Sequence, residues 1–179
     1  MRWCELSAFT AAYRTHLGSQ PRFNSQVLDN NATLHHWTRF ALVFRALYFY
    51  RSQLMQEAAA HGLPLLRPMP VQFPMNEVAW KSAERMKLQF MFGDTFLVAP
   101  VTAPDAVQVL VWFPTGHEWV HVWSGESVKG DDQWKWIQAP LGQPAVFYAC
   151  PSSSDQVATE SCNQCKYFVK QLTSLEVII

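Results

Sequence analysis

The chain has 179 residues, 49% hydrophobic and 16% charged, a balance that fits a folded protein with one substantial core or two small ones and excludes a disordered chain. Lysine plus arginine and aspartate plus glutamate each number 14, and the basic residues are scattered, so neither nucleic acid nor a membrane surface is an expected partner. No apolar run approaches the roughly eighteen residues of a membrane span, and no basic-then-apolar leader opens the sequence.

In the first stretch, Trp3, Leu6, Phe9 and Tyr13 recur at three- and four-residue spacing, the apolar face of a helix, with Arg2 and Glu5 off that face or at its edge. Arg14-Thr15-His16 then reads as a short strand running into Leu17-Gly18, which puts His16 where an element meets a loop. An imidazole there can donate or accept a hydrogen bond to a polar ligand. The alternative is a histidine that only satisfies loop carbonyls.

Residues 19–31, rich in Ser, Gln, Asn and Pro, form a loop. Asn30 or Asn31 caps a second helix expected over 32–61, with Leu34, Trp37, Ala41, Phe44, Leu47, Leu54 and Ala58 on one face. Gly62 supplies a left-handed stop and Pro64 prevents continuation. Arg39, Arg45 and Arg51 are expected to face away from the core or to snorkel at its edge.

From Leu65 the pattern becomes β-prone. A strand is expected over 65–73, a short helix or turn over 77–88, and strands over 95–101, 107–113, 118–123, 134–137 and 145–148, separated by Pro, Gly and Asp turn signals. That spacing predicts an antiparallel sandwich. Trp112, Trp119, Trp123, Trp134 and Trp136 fall in this half; they either pack between sheets or offer rings on which a sugar can stack. Cys4 reads as a small buried hydrophobe. Cys162 and Cys165 have the spacing of half a zinc site or a redox pair, but no second pair completes four ligands, so no metal or cofactor is expected. Residues 151–155 are linker-like, and 167–179 form a short amphipathic or β-prone piece without an assignable core.

Several blocks carry a resemblance. Arg2-Trp3, Ser7-Ala8-Phe9, Arg14-Thr15-His16 and Gly18 come first. Then follow Gly62-Leu63-Pro64-Leu65-Leu66-Arg67-Pro68 and Phe92-Gly93-Asp94 with Leu97-Val98-Ala99-Pro100-Val101. Trp119-Val120-His121-Val122-Trp123-Ser124-Gly125-Glu126 and Ala139-Pro140-Leu141-Gly142 with Val146-Phe147-Tyr148 complete the set. Together they resemble glycoside hydrolase family 31, most closely its bacterial sulfoquinovosidases and related α-glucosidases. The departures are Leu17 where these enzymes often have an acid, Ala11-Ala12 in place of a proline-containing step, and Ser25-Gln26-Val27 in place of a more aromatic stretch.

The resemblance implies an α/β plus all-β fold: the C-terminal piece of a (β/α)8 TIM barrel over 1–64, an antiparallel β-sandwich over 65–149, and a divergent tail over 150–179. It implies an α-glycoside as partner and His16 as a substrate-binding donor to a hydroxyl of the sugar at the cleavage site. Retaining hydrolysis needs two carboxyl groups about 5–5.5 Å apart. Neither Glu5 nor Asp29 forms such a pair by position, and in this family both catalytic aspartates precede the Arg-Trp block. No catalytic residue is therefore expected within these residues, and the isolated chain is expected not to hydrolyse glycosides. The competing reading is a non-catalytic carbohydrate-binding or interaction module with the sandwich tryptophans as its platform.

Overall fold

The computed structural model describes residues 1–82, 84, 86, 88–151, 162, 166, 169 and 170. Helix α1 (Arg2–Ser7) is shorter than the apolar spacing suggests. A longer helix would offer the carbonyls of Ala8 and Thr10 to the amides of Ala12 and Arg14. Instead both accept from the Arg51 guanidinium, at 3.2 and 2.9 Å. The helical face consequently splits: Phe9 is buried, while Trp3 is 77% exposed. Residues 14–16 form no strand, which corrects the short strand expected there.

The single helix expected over 32–61 is two, α2 (Asn31–Ala46) and α3 (Tyr48–His61), separated at Leu47. Arg51 again supplies the reason. Its Nη1 donates to the Phe44 carbonyl at 3.0 Å, the group that an unbroken helix would give to the Tyr48 amide. Far from facing outward, Arg51 is buried and stacks 3.6 Å from the centre of the Phe44 ring. Three main-chain acceptors and an aromatic face make that burial tolerable for a guanidinium. The helix ends agree with expectation. The Asn30 side chain accepts from the Thr33 amide at 2.8 Å, and Gly62, at φ 73°, closes α3.

Strand β1 (Leu66–Pro68) replaces the longer strand expected over 65–73, because the chain turns at once into a short helix α4 (Met69–Gln72) with Pro70 in its first turn. Helix α5 (Glu77–Lys81) follows, capped by Asn76. The remaining elements are β2 (Phe90–Phe92), β3 (Phe96–Ala99), β4 (Gln108–Phe113), β5 (His117–His121), β6 (Ser127–Lys129), β7 (Gln133–Gln138) and β8 (Ala145–Pro151). Five of these match the five short β-prone runs. Strands β2 and β6 do not announce themselves, since three residues are too few for a period-two pattern.

All pairings are antiparallel, in a six-stranded sheet ordered β1-β2-β3-β8-β5-β6 and a two-stranded ribbon β4-β7. Alternation along the central strands divides the interior. Phe96 and Val98 of β3, with Val146, Tyr148 and Cys150 of β8, face Phe9, Phe40, Val43, Leu47 and Leu54 of the helical layer. Leu97, Ala99, Ala145 and Phe147 face Val111 and Phe113 of the ribbon.

Trp112 and Trp119 are fully buried, and Trp123 and Trp134 half-buried; Trp136 alone of the five is exposed, at 64%. Each buried indole contributes about 3 kcal/mol of hydrophobic stabilisation, which assigns Trp112 and Trp119 to packing. Cys162 is joined to Cys150 in a disulfide. That pairing displaces the reading of Cys162 and Cys165 as half a zinc site or redox pair, because Cys162 takes a partner upstream. Cys4 is free and half-buried. Most of the tail lies outside the described residues, including the segment read as amphipathic over 167–179 save Val169 and Lys170, which are helical.

Candidate substrate-contact site at His16

Residues 11–18 form an arm that leaves α1 and crosses the helical layer. Its root is fixed by Arg51 through Ala8 and Thr10, and its middle by Tyr13, whose hydroxyl donates to the Trp37 carbonyl at 2.7 Å. The Tyr13 ring packs on Trp37 and Phe44, with centroids 5.4 and 5.6 Å apart. Burial, and then nearby Cys4, push the Tyr13 phenol upward, so it stays a donor across the working pH range.

Three residues on, His16 is exposed, and its Nδ1 accepts from the Gly18 amide at 2.9 Å. With Nδ1 occupied as an acceptor, Nε2 is the ring nitrogen left to donate. Gly18 makes this turn at φ 75°, and a Cβ there would lie 2.4 Å from the Asn24 amide nitrogen. Asn24 in turn donates to the Leu17 carbonyl at 3.2 Å, folding the loop back beside His16. The site thus offers a held donor on an anchored arm.

The carboxylates nearest in sequence are engaged elsewhere. Glu5 is buried, accepts from the Gly142 amide at 2.6 Å, and pairs with Arg2 at 2.8 Å. Asp29 accepts from the Gln26 amide at 2.5 Å. Each carboxylate thus already has a protein donor of its own. Glu5 lies inward, not at the helix edge as its spacing suggests, because Gly142 and Arg2 supply the donors that its burial requires. The Arg2–Glu5 spacing is the sequence signal for the ion pair; nothing local points to Gly142.

The other motif blocks build the fold. Arg67 is buried and ion-paired to Glu57 at 2.6 Å. Gly93, at φ 65°, lies under the Tyr50 hydroxyl, which donates to the Phe92 carbonyl at 3.0 Å. His121 is buried beside Ser124, with Nδ1 2.9 Å from Oγ, and burial pushes its pKa down. Trp123 donates to the Pro144 carbonyl at 2.8 Å and carries the Arg39 guanidinium 5.1 Å above its ring. His36, 3.5 Å from Glu5, has its pKa pushed down by burial, with Glu5 acting in the opposite direction.

Residues 62–152 match the glycosyl hydrolase family 31 C-terminal domain. The chain belongs to glycosyl hydrolase family 31. It is 38% identical to a sulfoquinovosidase of Agrobacterium fabrum over 153 residues, which are 86% of this chain and 22% of that protein. It is 34% identical to a sulfoquinovosidase of Escherichia coli over 152 residues, 85% of this chain and 21% of that protein. The chain therefore spans about a fifth of the length of these curated family 31 relatives. Among solved structures it resembles a family 31 sulfoquinovosidase from E. rectale in complex with an aza-sugar inhibitor. There the TM-score is 0.79 and the identity 29%, covering 97% of this chain and 23% of that one. The antiparallel sandwich is thus the family's C-terminal domain.

Proposed function

We propose that these residues are the C-terminal part of a retaining α-glycosidase that hydrolyses O-glycosyl bonds of the α-glucoside or sulfoquinovoside type. In this reading residues 1–64 are the last segment of the catalytic TIM barrel, 65–149 the adjoining sandwich, and 150–179 a divergent tail. The nucleophile and the general acid belong to segments that precede the Arg2-Trp3 block. The observation that carries the reading is coverage: the match runs through 86% of this chain but only 22% of the sulfoquinovosidase, and residues 62–152 match the family's C-terminal domain.

In retaining hydrolysis one carboxylate attacks the anomeric carbon while a carboxylic acid protonates the leaving oxygen, and water then releases the sugar from the covalent intermediate. The part played here is His16. Its Nε2–H donates to a hydroxyl of the sugar at the cleavage site, and the Gly18 amide holds the ring in the donor tautomer. Arg51 and Tyr13 are positioning residues that set where the arm carries the imidazole.

Aryl α-glycoside hydrolysis tests this. The purified 179-residue chain is expected to show no turnover above background. A longer native protein carrying upstream aspartates, identified by its mass in the source tissue, is expected to turn over and to lose activity on His16→Ala. Turnover by the 179-residue chain itself, abolished by His16→Ala, overturns the reading.

A further inference from the structure

On the outer face of the β4-β7 ribbon, cross-strand pairs form a stripe with period two: Trp112 opposite Trp134, Leu110 opposite Trp136, and Gln108 opposite Gln138. The first pair is covered. Trp112 is fully buried under Phe73, whose ring stands edge-on with centroids 6.0 Å apart. Gln89 binds both main-chain groups of Trp112, donating to its carbonyl at 2.8 Å and accepting from its amide at 3.0 Å. The cover stops there. Leu110 is half-open, Trp136 is 64% exposed, and Gln108 and Gln138 are exposed.

Trp136 and residues 100–103 line one open groove of about 240 Å³. Its lining includes Thr102, Gln108, Leu110 and Trp136, and no described residue that lines it is charged. An exposed indole on a rigid ladder, flanked by planar amides and a hydroxyl, matches one ligand chemistry well. The apolar face of a pyranose ring covers the indole, while its hydroxyls, each both donor and acceptor, suit amide groups that are also both. The described lining offers hydroxyl and amide groups as hydrogen-bond partners, which suit the hydroxyls of a neutral sugar.

We propose that the Trp136 groove is a second carbohydrate site, separate from the His16 arm, that takes a neutral hexopyranose unit such as the end of an α-linked glucan. For ligand class it rests on the carbohydrate reading above, but it does not depend on His16. A single stacked ring with few hydrogen bonds gives weak binding, with a dissociation constant on the order of 1 mM.

The test is an NMR titration of the full 179-residue chain with maltotriose, repeated for Trp136→Ala, Trp136→Phe and His16→Ala. Saturable shifts are expected at the Trp136 indole and at the amides of Leu110, Gln108 and Gln138. The alanine variant is expected to weaken binding at least about tenfold, the phenylalanine variant less, and His16→Ala not at all. Trp136 is a surface residue, and an unchanged amide spectrum elsewhere checks that its variants remain folded.

No shift at these positions up to about 20 mM maltotriose, some twenty times the expected constant, overturns the inference. So does a Trp136→Ala variant whose only effect is to convert a dimer to a monomer in sedimentation, since the groove is then a contact between copies. Loss of hydrolysis in the longer protein on His16→Ala, with no binding at Trp136, would leave the proposed function standing and remove this site alone.

Discussion

The Glu5 carboxylate accepts a hydrogen bond from the Gly142 amide at 2.6 Å, joining residues 137 positions apart in the interior. Its second oxygen is 2.8 Å from Arg2 Nη1, and Arg2 Nη2 donates to the carbonyls of Ala106 and Ala139, both at 2.8 Å. Through these bonds α1 is clamped to the loops of the sandwich. Glu5→Ala removes the acceptor and leaves a buried N–H unpaired, so a loss of about 3 kcal/mol in urea unfolding is expected. Glu5→Gln keeps an acceptor oxygen and is expected to cost about half as much.

Arg51 makes a comparable test of the helical layer. Arg51→Met preserves much of the stem packing but leaves the carbonyls of Ala8, Thr10 and Phe44 without their donor. A loss of about 2–4 kcal/mol is expected, with earlier proteolysis of the 11–30 segment than in the parent. Equal stability of the two proteins would mean that the guanidinium does not hold the arm.

Gly93→Ala is expected to destabilise by more than about 2 kcal/mol. The residue sits at φ 65°, and a Cβ would fall 2.1 Å from the Tyr50 hydroxyl and 2.7 Å from a Leu54 methyl. Gly93→Ala combined with Tyr50→Phe is expected to recover part of the loss, because the oxygen is the nearest clash. Thermal melts of the pair check it.

His36 and His121 both have folded-state pKa values below the ordinary 6.5 because burial disfavours the imidazolium. Below pH 6.5 the unfolded chain therefore binds protons that the folded chain does not, and stability falls as pH falls. A melting temperature that declines from pH 7.5 to 5.5 is expected, with a shallower decline in His121→Gln. A melting temperature that rises over this interval would reverse the sign and remove the explanation.

The disulfide between Cys150 and Cys162 ties β8 to a segment that packs on the helix-side core. Peptide mapping without reductant is expected to recover the two cysteines in one cross-linked species. Cys162→Ser is expected to lower stability by about 2–3 kcal/mol, in line with the short loop that the bond closes.

Much was legible in the residues themselves. The short apolar runs Phe96 to Ala99 and Ala145 to Tyr148 mark strands, Asn30 marks the start of α2, and Gly62 marks the end of α3. These signals are local: side-chain period and φ preference act within a few residues. The change from a helical to a β-prone pattern near Leu65 is of the same local kind.

Tertiary structure decided the rest. Glu5 and Arg51 look like edge residues by spacing, and each is buried because its partners lie on other elements, Gly142 for the first and Ala8 and Thr10 for the second. The bonds of Arg51 to Ala8 and Thr10 end α1 early, and its bond to the Phe44 carbonyl breaks the second helix at Leu47. Cys162 could pair with its near neighbour by spacing but is bonded to Cys150, and of five tryptophans only the packing of the layers sorts Trp136 outward. The sequence by itself determined which segments form helices and strands, because those choices depend on neighbours in the chain. Which polar groups are buried and whom they meet was decided only when the layers closed, since a charge can leave water only where distant main-chain groups converge to replace it.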